Sequence, residues 1–281
     1  MADWYREDSS IDTVPVNDRG LQYGDGLFET VAIRDGEPRL WPYHWARLQQ
    51  GCKRLSIRVP SEDSIRARLA AALQLHAEIS AYCTAKLVVT AGVGERGYGR
   101  ARNPAAEVYT GLFASAPPPD EYYRDGVDSI VCETRLAAGS PVAGLKTLNR
   151  IEQVLARSEV MTAGVFEGLT MDADDNLICG TMSNVFIVKN QQLVTPGVDR
   201  CGVAGVMRAK LLDLLRDDGA DVAVASVRHD ELRDCDEVFV CNSQFGVIPV
   251  KSCGQLVWSV GPFTHQVMSQ LADAGIQECR S

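Results

Sequence analysis

Lysine is scarce in this chain of 281 residues, and one of its six lysines stands in a setting that suits covalent chemistry. Lys146 follows the small, apolar stretch Ala143-Gly144-Leu145 and precedes Thr147-Leu148-Asn149-Arg150-Ile151-Glu152-Gln153, which leads into a helix-like segment. A lysine at a strand end among apolar neighbours can lose its proton near neutral pH and form a Schiff base with a carbonyl. The same setting also suits an ordinary solvated lysine ahead of a helix. Which of the two applies depends on what the rest of the chain brings to it.

Four other runs carry residue types that recognise anions or specify tight turns. In His44-Trp45-Ala46-Arg47-Leu48 the Arg47 guanidinium either turns inward, where its planar fork meets two phosphate oxygens, or simply flanks an apolar stripe. Thr195-Pro196-Gly197 and then Gly202-Val203-Ala204-Gly205-Val206-Met207-Arg208 make a glycine-rich approach to a helix. First-turn amides and the helix dipole form a natural anion site there, although many loops use glycine only to start a helix. Cys241-Asn242-Ser243-Gln244-Phe245-Gly246 follows an apolar strand at 238–240, and its small polar residues either form the turn or donate to phosphate oxygens. The run Asn17-Asp18-Arg19-Gly20-Leu21-Gln22-Tyr23-Gly24-Asp25-Gly26-Leu27-Phe28-Glu29-Thr30 is the most distinctive. Two glycines bracket an aspartate just before an alternating strand, which implies a tightly specified turn.

The elements that must position these residues follow from periodicity. Residues 27–33 read as a strand closed by the turn Arg34-Asp35-Gly36. Trp41, Trp45, Leu48, Cys52 and Leu55 recur at helical spacing, and a second helix is expected over 61–77, capped by Ser61 with Asp63 in its first turn. Strands at about 84–90 and 107–114 flank the loop Gly92-Val93-Gly94-Glu95-Arg96-Gly97-Tyr98-Gly99. Ala116-Pro117-Pro118-Pro119-Asp120 suits neither a helix interior nor a central strand. It divides an N-terminal domain at 1–115 from a C-terminal domain at 124–281 through a proline-rich linker at 116–123. Beyond it, strands are expected near 128–134, 165–171, 183–188, 221–227 and 236–241, with helices at 149–162, 205–217 and 262–275. This mixture predicts two α+β domains with a cleft between them.

Composition narrows the function. Apolar residues make up 46% and charged residues 23%, as in a soluble globular protein. A net charge of −9 argues against a nucleic-acid or acidic-membrane surface, so an anionic ligand must be held by local arginines and amides. The nine cysteines are odd in number, scattered and without a Cys-x-x-Cys pair, and the four histidines are dispersed, which suggests neither a zinc site nor a disulfide framework. No stretch is long enough to cross a bilayer, and Met1-Ala2-Asp3-Trp4-Tyr5-Arg6-Glu7-Asp8 lacks the features of a signal peptide, so a cytoplasmic chain is expected.

The run from Asp18-Arg19-Gly20 to Thr30 resembles the N-terminal signature of fold-type IV pyridoxal-phosphate enzymes. His44-x-x-Arg47, Lys146, the Gly205-Val206-Met207-Arg208 helix start and Asn242-Ser243 match in the same order across nearly the whole chain. Within that superfamily, Lys146-x-Leu148-Asn149-Arg150-x-Glu152-Gln153 is similar to the aminodeoxychorismate lyases. The resemblance implies an α+β chain with a smaller N-terminal α/β domain and a larger C-terminal mixed β/α domain carrying the lysine. It further implies a homodimer whose active site lies in the interdomain cleft near the interface.

By the same resemblance, Lys146 would hold pyridoxal 5'-phosphate as a Schiff base and act as the catalytic residue. Arg47 would pair with the phosphate, and the Val206 and Met207 amides and the Asn242-Ser243 turn would add donors. Thr30 and Tyr98 would line the substrate side, and Arg96 would hold a substrate carboxylate. The implied reaction is the elimination that converts 4-amino-4-deoxychorismate, a small anionic molecule, to 4-aminobenzoate and pyruvate for folate synthesis. The rival enzyme is a D-amino-acid or branched-chain aminotransferase of the same fold. D-amino-acid transaminases carry Arg-x-His after the corresponding glycine loop, where this chain reads Arg96-Gly97-Tyr98, and branched-chain transaminases differ after their lysine. A binding protein with a structural Lys146 is the non-enzymatic alternative.

The chain departs from the pattern at the pyridine nitrogen. Relatives usually place a glutamate five residues before Asn184, where Leu177-Ile178-Cys179-Gly180-Thr181-Met182-Ser183-Asn184 has Cys179. A carboxylate there keeps the nitrogen protonated, whereas a thiol with an ordinary pKa of about 8.5 is a weaker partner. Asp175, read as lying on the same strand face, would be about 13 Å away and too far to replace it. Either Cys179 is a thiolate, or the nitrogen stays largely unprotonated. The second suits an elimination that aromatises its product better than a transamination. Ala91 also stands where relatives often have arginine before Gly92.

Overall fold

The computed structural model describes residues 3–6, 9–100 and 104–280; Met1, Ala2, Glu7 and Asp8 of the N-terminal run read above for a signal lie outside them. The chain forms two compact units. Unit 1 takes Met1–Ala116 together with Leu145–Asn149, and unit 2 takes Pro117–Gly144 and Arg150–Ser281. The resemblance put the lysine in the C-terminal domain, but the lysine segment belongs to unit 1. The reason is strand pairing, described below.

Among the described residues, unit 1 is built on an antiparallel sheet of six strands: β1 Asp3–Arg6, β2 Ser9–Ile11, β3 Gly26–Arg34, β4 Glu37–Pro38, β5 Tyr82–Thr90 and β6 Glu107–Ala114. Their order is β2-β1-β6-β5-β3-β4. Its helices are α1 Arg19–Tyr23, α2 Trp41–Arg54 and α3 Glu62–Leu75. Leu27, Val31 and Ile33 of β3 alternate into the core, where Trp41, Leu48 and Cys52 of α2 are also buried. Helix α2 ends in Lys53 and Arg54, which suit the negative end of its dipole. Helix α3 starts as its sequence demands: Ser61 accepts from Ser64 N at 3.3 Å, and Glu62 and Asp63 occupy the first turn.

Unit 2 carries a mixed sheet, which among the described residues has nine strands. They are β7 Val127–Leu136, β8 Glu167–Asp172, β9 Leu177–Gly180, β10 Asn184–Lys189, β11 Gln192–Pro196, β12 Val222–Ala225, β13 Glu237–Asn242, β14 Gly246–Cys253 and β15 Leu256–Val257. The order is β12-β11-β10-β13-β14-β7-β8-β9, with β15 on β14. Strands β10, β13 and β14 are almost continuously apolar and buried, the pattern of central strands covered on both faces. The helices are α4 Asp120–Asp125, α5 Ile151–Ala163, α6 Val206–Asp217 and α7 Pro262–Asp273. Helix α4 occupies the end of the stretch read as a linker; the prolines stop just before it, and Pro119 serves as its N-cap residue.

Candidate active site

The lysine segment is built onto the edge of β3 that β4 leaves uncovered. Phe28 N donates to the Lys146 carbonyl and Leu148 N to the Gly26 carbonyl, each at 3.0 Å, forming an antiparallel bridge between Leu27 and Thr147. Asn149 Nδ2 adds a hydrogen bond to the Gly24 carbonyl at 3.0 Å. This approach accounts for the two glycines around Asp25. A Cβ on Gly24, which has φ of +63°, would fall 2.5 Å from Asn149 Oδ1, and one on Gly26 would collide first with the Val89 carbonyl of β5 and also fall 2.8 Å from Leu148 Cδ1. Lys146 is thus fixed between the buried residues Leu145 and Thr147, with Nζ 4.3 Å from the centroid of the Phe28 ring. Thr30 is half-buried two residues further along β3, on the same face as Phe28.

On the other face of β3, Glu29 organises the cationic groups of α2. Arg47 Nε donates to Glu29 Oε1 at 2.9 Å and Arg47 Nη2 to Oε2 at 2.5 Å, while His44 Nδ1 donates to Oε2 at 2.6 Å. Burial alone would raise the Glu29 carboxyl, but the Arg47 charge and the His44 hydrogen bond outweigh it and hold the group at about 2. Burial, helped by the nearby charges of Arg47 and Lys146, lowers the His44 pKa below its ordinary value in spite of Glu29. The imidazole is therefore neutral at pH 7. Since a carboxylate only accepts, the proton sits on Nδ1 and Nε2 carries the lone pair. That Nε2 is buried with no hydrogen-bond partner among the described residues. Sequence reading singled out Arg47 and passed over Glu29. The signal was present: Glu29 shares its core-facing parity in β3 with the apolar Leu27, Val31 and Ile33.

Arg96 and Tyr98 lie on the exposed glycine-rich loop of unit 1, Tyr98 being 88% exposed. The Tyr98 ring meets Tyr23 edge to face, with centroids 5.5 Å apart.

In unit 2 the features expected to bind an anion gather at one end of the sheet. β10 begins with Asn184 opposite Cys241 on β13, so Asn242 and Ser243 turn away at that end. Gly205, the N-cap residue of α6, packs against Asn184: a Cβ there would collide with Asn184 Oδ1. Asn184 Nδ2 in turn donates to the Val203 carbonyl at 3.0 Å. The Val206 and Met207 amides open α6, where a helix offers no internal acceptor and the dipole is positive. Asn242 Oδ1 accepts from Gln244 N at 2.8 Å and Phe245 N at 3.1 Å, and its Nδ2 donates to the Met182 carbonyl at 3.2 Å. The Asn242 side chain thus shapes the turn that carries the buried Ser243.

Cys179 sits on β9 among Leu136, Ile178 and Cys201, with Sγ 3.4 Å from Thr170 Oγ1. Burial pushes its thiol up to about 12, beyond what the Thr170 contact offsets. Of the two states expected for Cys179, this environment favours the neutral thiol over the thiolate. Asp175 is not on a shared strand face: it occupies the turn between β8 and β9 with φ of +59°, and its carboxylate meets Arg135 Nη2 at 2.9 Å. A buried carboxylate that sequence reading missed, Glu167 on β8, accepts from Thr181 N at 3.0 Å and from Ser183 Oγ at 2.7 Å. It pins the turn that follows Cys179.

The family model described as amino-transferase class IV matches residues 26–253. An aminodeoxychorismate lyase from Vibrio harveyi is 34% identical over 262 residues, spanning 92% of this chain and 95% of its own. A protein from Methanocaldococcus jannaschii assigned as a branched-chain-amino-acid aminotransferase is 33% identical over 241 residues, spanning 84% and 81%. Among solved structures, the 4-amino-4-deoxychorismate lyase from Pseudomonas aeruginosa superposes with a TM-score of 0.88 at 42% identity, covering 97% of this chain and 99% of its own.

Proposed function

The chain belongs to the amino-transferase class IV family, and we propose that it is a pyridoxal-phosphate-dependent lyase converting 4-amino-4-deoxychorismate to 4-aminobenzoate and pyruvate. The observation that carries this reading is the 42% identity to a lyase structure over 97% of the chain. The Arg96-Gly97-Tyr98 run, in place of Arg-x-His, supports it against D-amino-acid transamination.

The donor chemistry fits the cofactor: a primary amine for its aldehyde, and a guanidinium with helix-terminal amides for its phosphate. Lys146 would hold it covalently, Arg47 and the Val206 and Met207 amides would bind the phosphate, and the Asn242-Ser243 turn would add donors. Cys179 would meet the ring nitrogen as a neutral thiol. When bound, pyridoxal phosphate supplies a carbonyl that condenses with the substrate amine and a ring that takes up electron density. The Lys146 amine would act as the general base that takes the proton from the substrate carbon bearing the amine. The enolpyruvate oxygen departs from the adjacent carbon with its bonding pair, and Lys146 returns a proton to the leaving group. Aromatisation supplies the driving force, which lessens the demand on the ring nitrogen. Arg96 holds a substrate carboxylate, while Thr30 and Tyr98 line the substrate side. The working unit is a cytoplasmic homodimer. Among the described residues, no helix is long and apolar enough to cross a membrane.

The test is incubation of the purified holoenzyme with 4-amino-4-deoxychorismate in the absence of a keto acid. Release of 4-aminobenzoate and pyruvate in equal amounts, abolished by Lys146→Ala, is expected. Amine transfer that requires an added keto acid would instead establish the aminotransferase reading, which the Methanocaldococcus relative keeps in view.

A further inference from the structure

Arg19 is an almost wholly buried arginine, with its side chain 5% exposed. Its guanidinium reads the backbone of a loop some eighty residues away in sequence. Nη1 donates to the Gly97 carbonyl at 3.1 Å and to the Gly99 carbonyl at 3.2 Å, and Nη2 donates to the Tyr98 carbonyl at 2.9 Å. Three consecutive carbonyls thus converge on one cation. Its remaining Nε donates to Asp25 Oδ2 at 2.8 Å, and the guanidinium lies 5.0 Å from the Tyr23 ring centroid. A fork with donors in fixed directions can organise three carbonyls in this way; an ammonium on a flexible stem cannot.

The rest of the loop is tied down from the same side. Arg19 N donates to the Gly92 carbonyl at 2.9 Å, and Gly94 N donates to the Asn17 carbonyl at 3.0 Å. Gly97 N donates to Tyr23 Oη at 3.1 Å. At the far end, Arg100 pairs with the same Asp25 carboxylate and donates to the Ser56 carbonyl at 3.1 Å. Asp25 is therefore the common anchor of two arginines, one beneath the middle of the loop and one at its end. The side chains that the loop leaves outward are Val93, Glu95, Arg96 and Tyr98, of which Arg96 is the cation. An element that exposes a cation and an aromatic ring while its backbone is held from within is shaped before any ligand arrives, which lowers the ordering cost of binding.

We propose that Arg19 is a positioning residue for substrate recognition, holding the 92–100 loop in the shape that presents Arg96 and Tyr98. The inference rests on the reading of Arg96 as the group that meets a substrate carboxylate. It makes Asp18-Arg19-Gly20 a specificity element that works through the loop without touching substrate or cofactor.

The test is a double-mutant comparison on the holoenzyme with 4-amino-4-deoxychorismate, using wild type, Arg19→Lys, Arg96→Ala and the double variant. Arg19→Lys should raise KM about tenfold with kcat changed by less than about threefold, the signature of lost uniform binding. In the Arg96→Ala background the same substitution should add little, because its effect passes through Arg96. Hydrogen exchange of the 94–100 amides should quicken in Arg19→Lys while the absorbance of the bound cofactor stays unchanged. An unaltered KM in Arg19→Lys, or a full tenfold effect persisting without Arg96, overturns the proposal. An unaltered KM in Arg96→Ala overturns only the role of Arg96, and the exchange rates and KM of Arg19→Lys still judge the loop. Should Arg19→Lys fail to fold, Tyr23→Phe removes one tether and is expected to raise KM in the same direction; no change there would count against the proposal.

Discussion

The Arg47 guanidinium and the Glu29 carboxylate meet through two parallel hydrogen bonds, from Nε and Nη2, in a place where Glu29 is 2% and Arg47 12% exposed. An arginine held this way is already oriented, as the proposed phosphate contact would require, and its partner is already ionised. Glu29→Gln removes the charge but not the shape, leaving Arg47 without its compensating anion. Loss of one member of a buried pair costs about 3–5 kcal/mol. Urea unfolding should show a loss of that order for Glu29→Gln. Combining it with Arg47→Met should recover part of the loss, since the stranded charge is gone; strictly additive losses would contradict the pairing.

Glu29 and His44 both have pKa values lowered by folding, so over the corresponding pH ranges each binds fewer protons in the folded than in the unfolded chain. Stability therefore rises with pH across those ranges. The His44 contribution is full above its ordinary value of 6.5 and is lost as pH falls below it. The Glu29 contribution is full above 4.5 and is lost between 4.5 and about 2. Urea midpoints measured from neutral to acid pH should fall in two stages, and His44→Gln should erase the first while sparing the second. A flat midpoint in the wild type through the first range would refute a neutral His44.

Gly205→Ala places a methyl group against Asn184 Oδ1. Relief requires Asn184 to leave the Val203 carbonyl or the start of α6 to tilt, at a cost of about 1–3 kcal/mol. Cofactor titration by absorbance should show weaker binding, and adding Asn184→Ala should return part of the stability. Binding as tight as the wild type in the single variant would remove the α6 N-terminus from the proposed phosphate site.

All nine cysteines are buried thiols. Burial pushes Cys132 and Cys179 up to about 12 and Cys52 and Cys201 up to about 11. The thiolate is the reactive species, so a disulfide reagent at mildly alkaline pH should find almost no fast thiols in the native protein and all nine after unfolding. A fast-reacting native thiol that maps to Cys179 would show a thiolate there after all.

Much of this architecture was legible because it rests on local patterns. The alternation through β3, the helical spacing of Trp41, Leu48 and Cys52, and the Ser61 cap each betray their element within a few residues. Lys146 and Arg47 stood out by residue type and by resemblance. What escaped is short or long-range. Helix α1 has five residues and β9 four, too few for a period to register. The turn that puts Asp175 at a positive φ splits what read as one strand face. The pairing of Gly26 with Leu148 spans more than a hundred residues and leaves no trace in either segment beyond the glycine itself.

That pairing also governs the order in which the molecule can be made. The chain quits unit 2 after Gly144, spends five residues in unit 1, and returns at Arg150. During synthesis, unit 1 cannot acquire its final edge until Asn149 has cleared the ribosome, by which time the first strand of unit 2 has already emerged. No single cut in the backbone yields both units whole, and a fragment ending at the prolines lacks the Lys146 segment that completes unit 1.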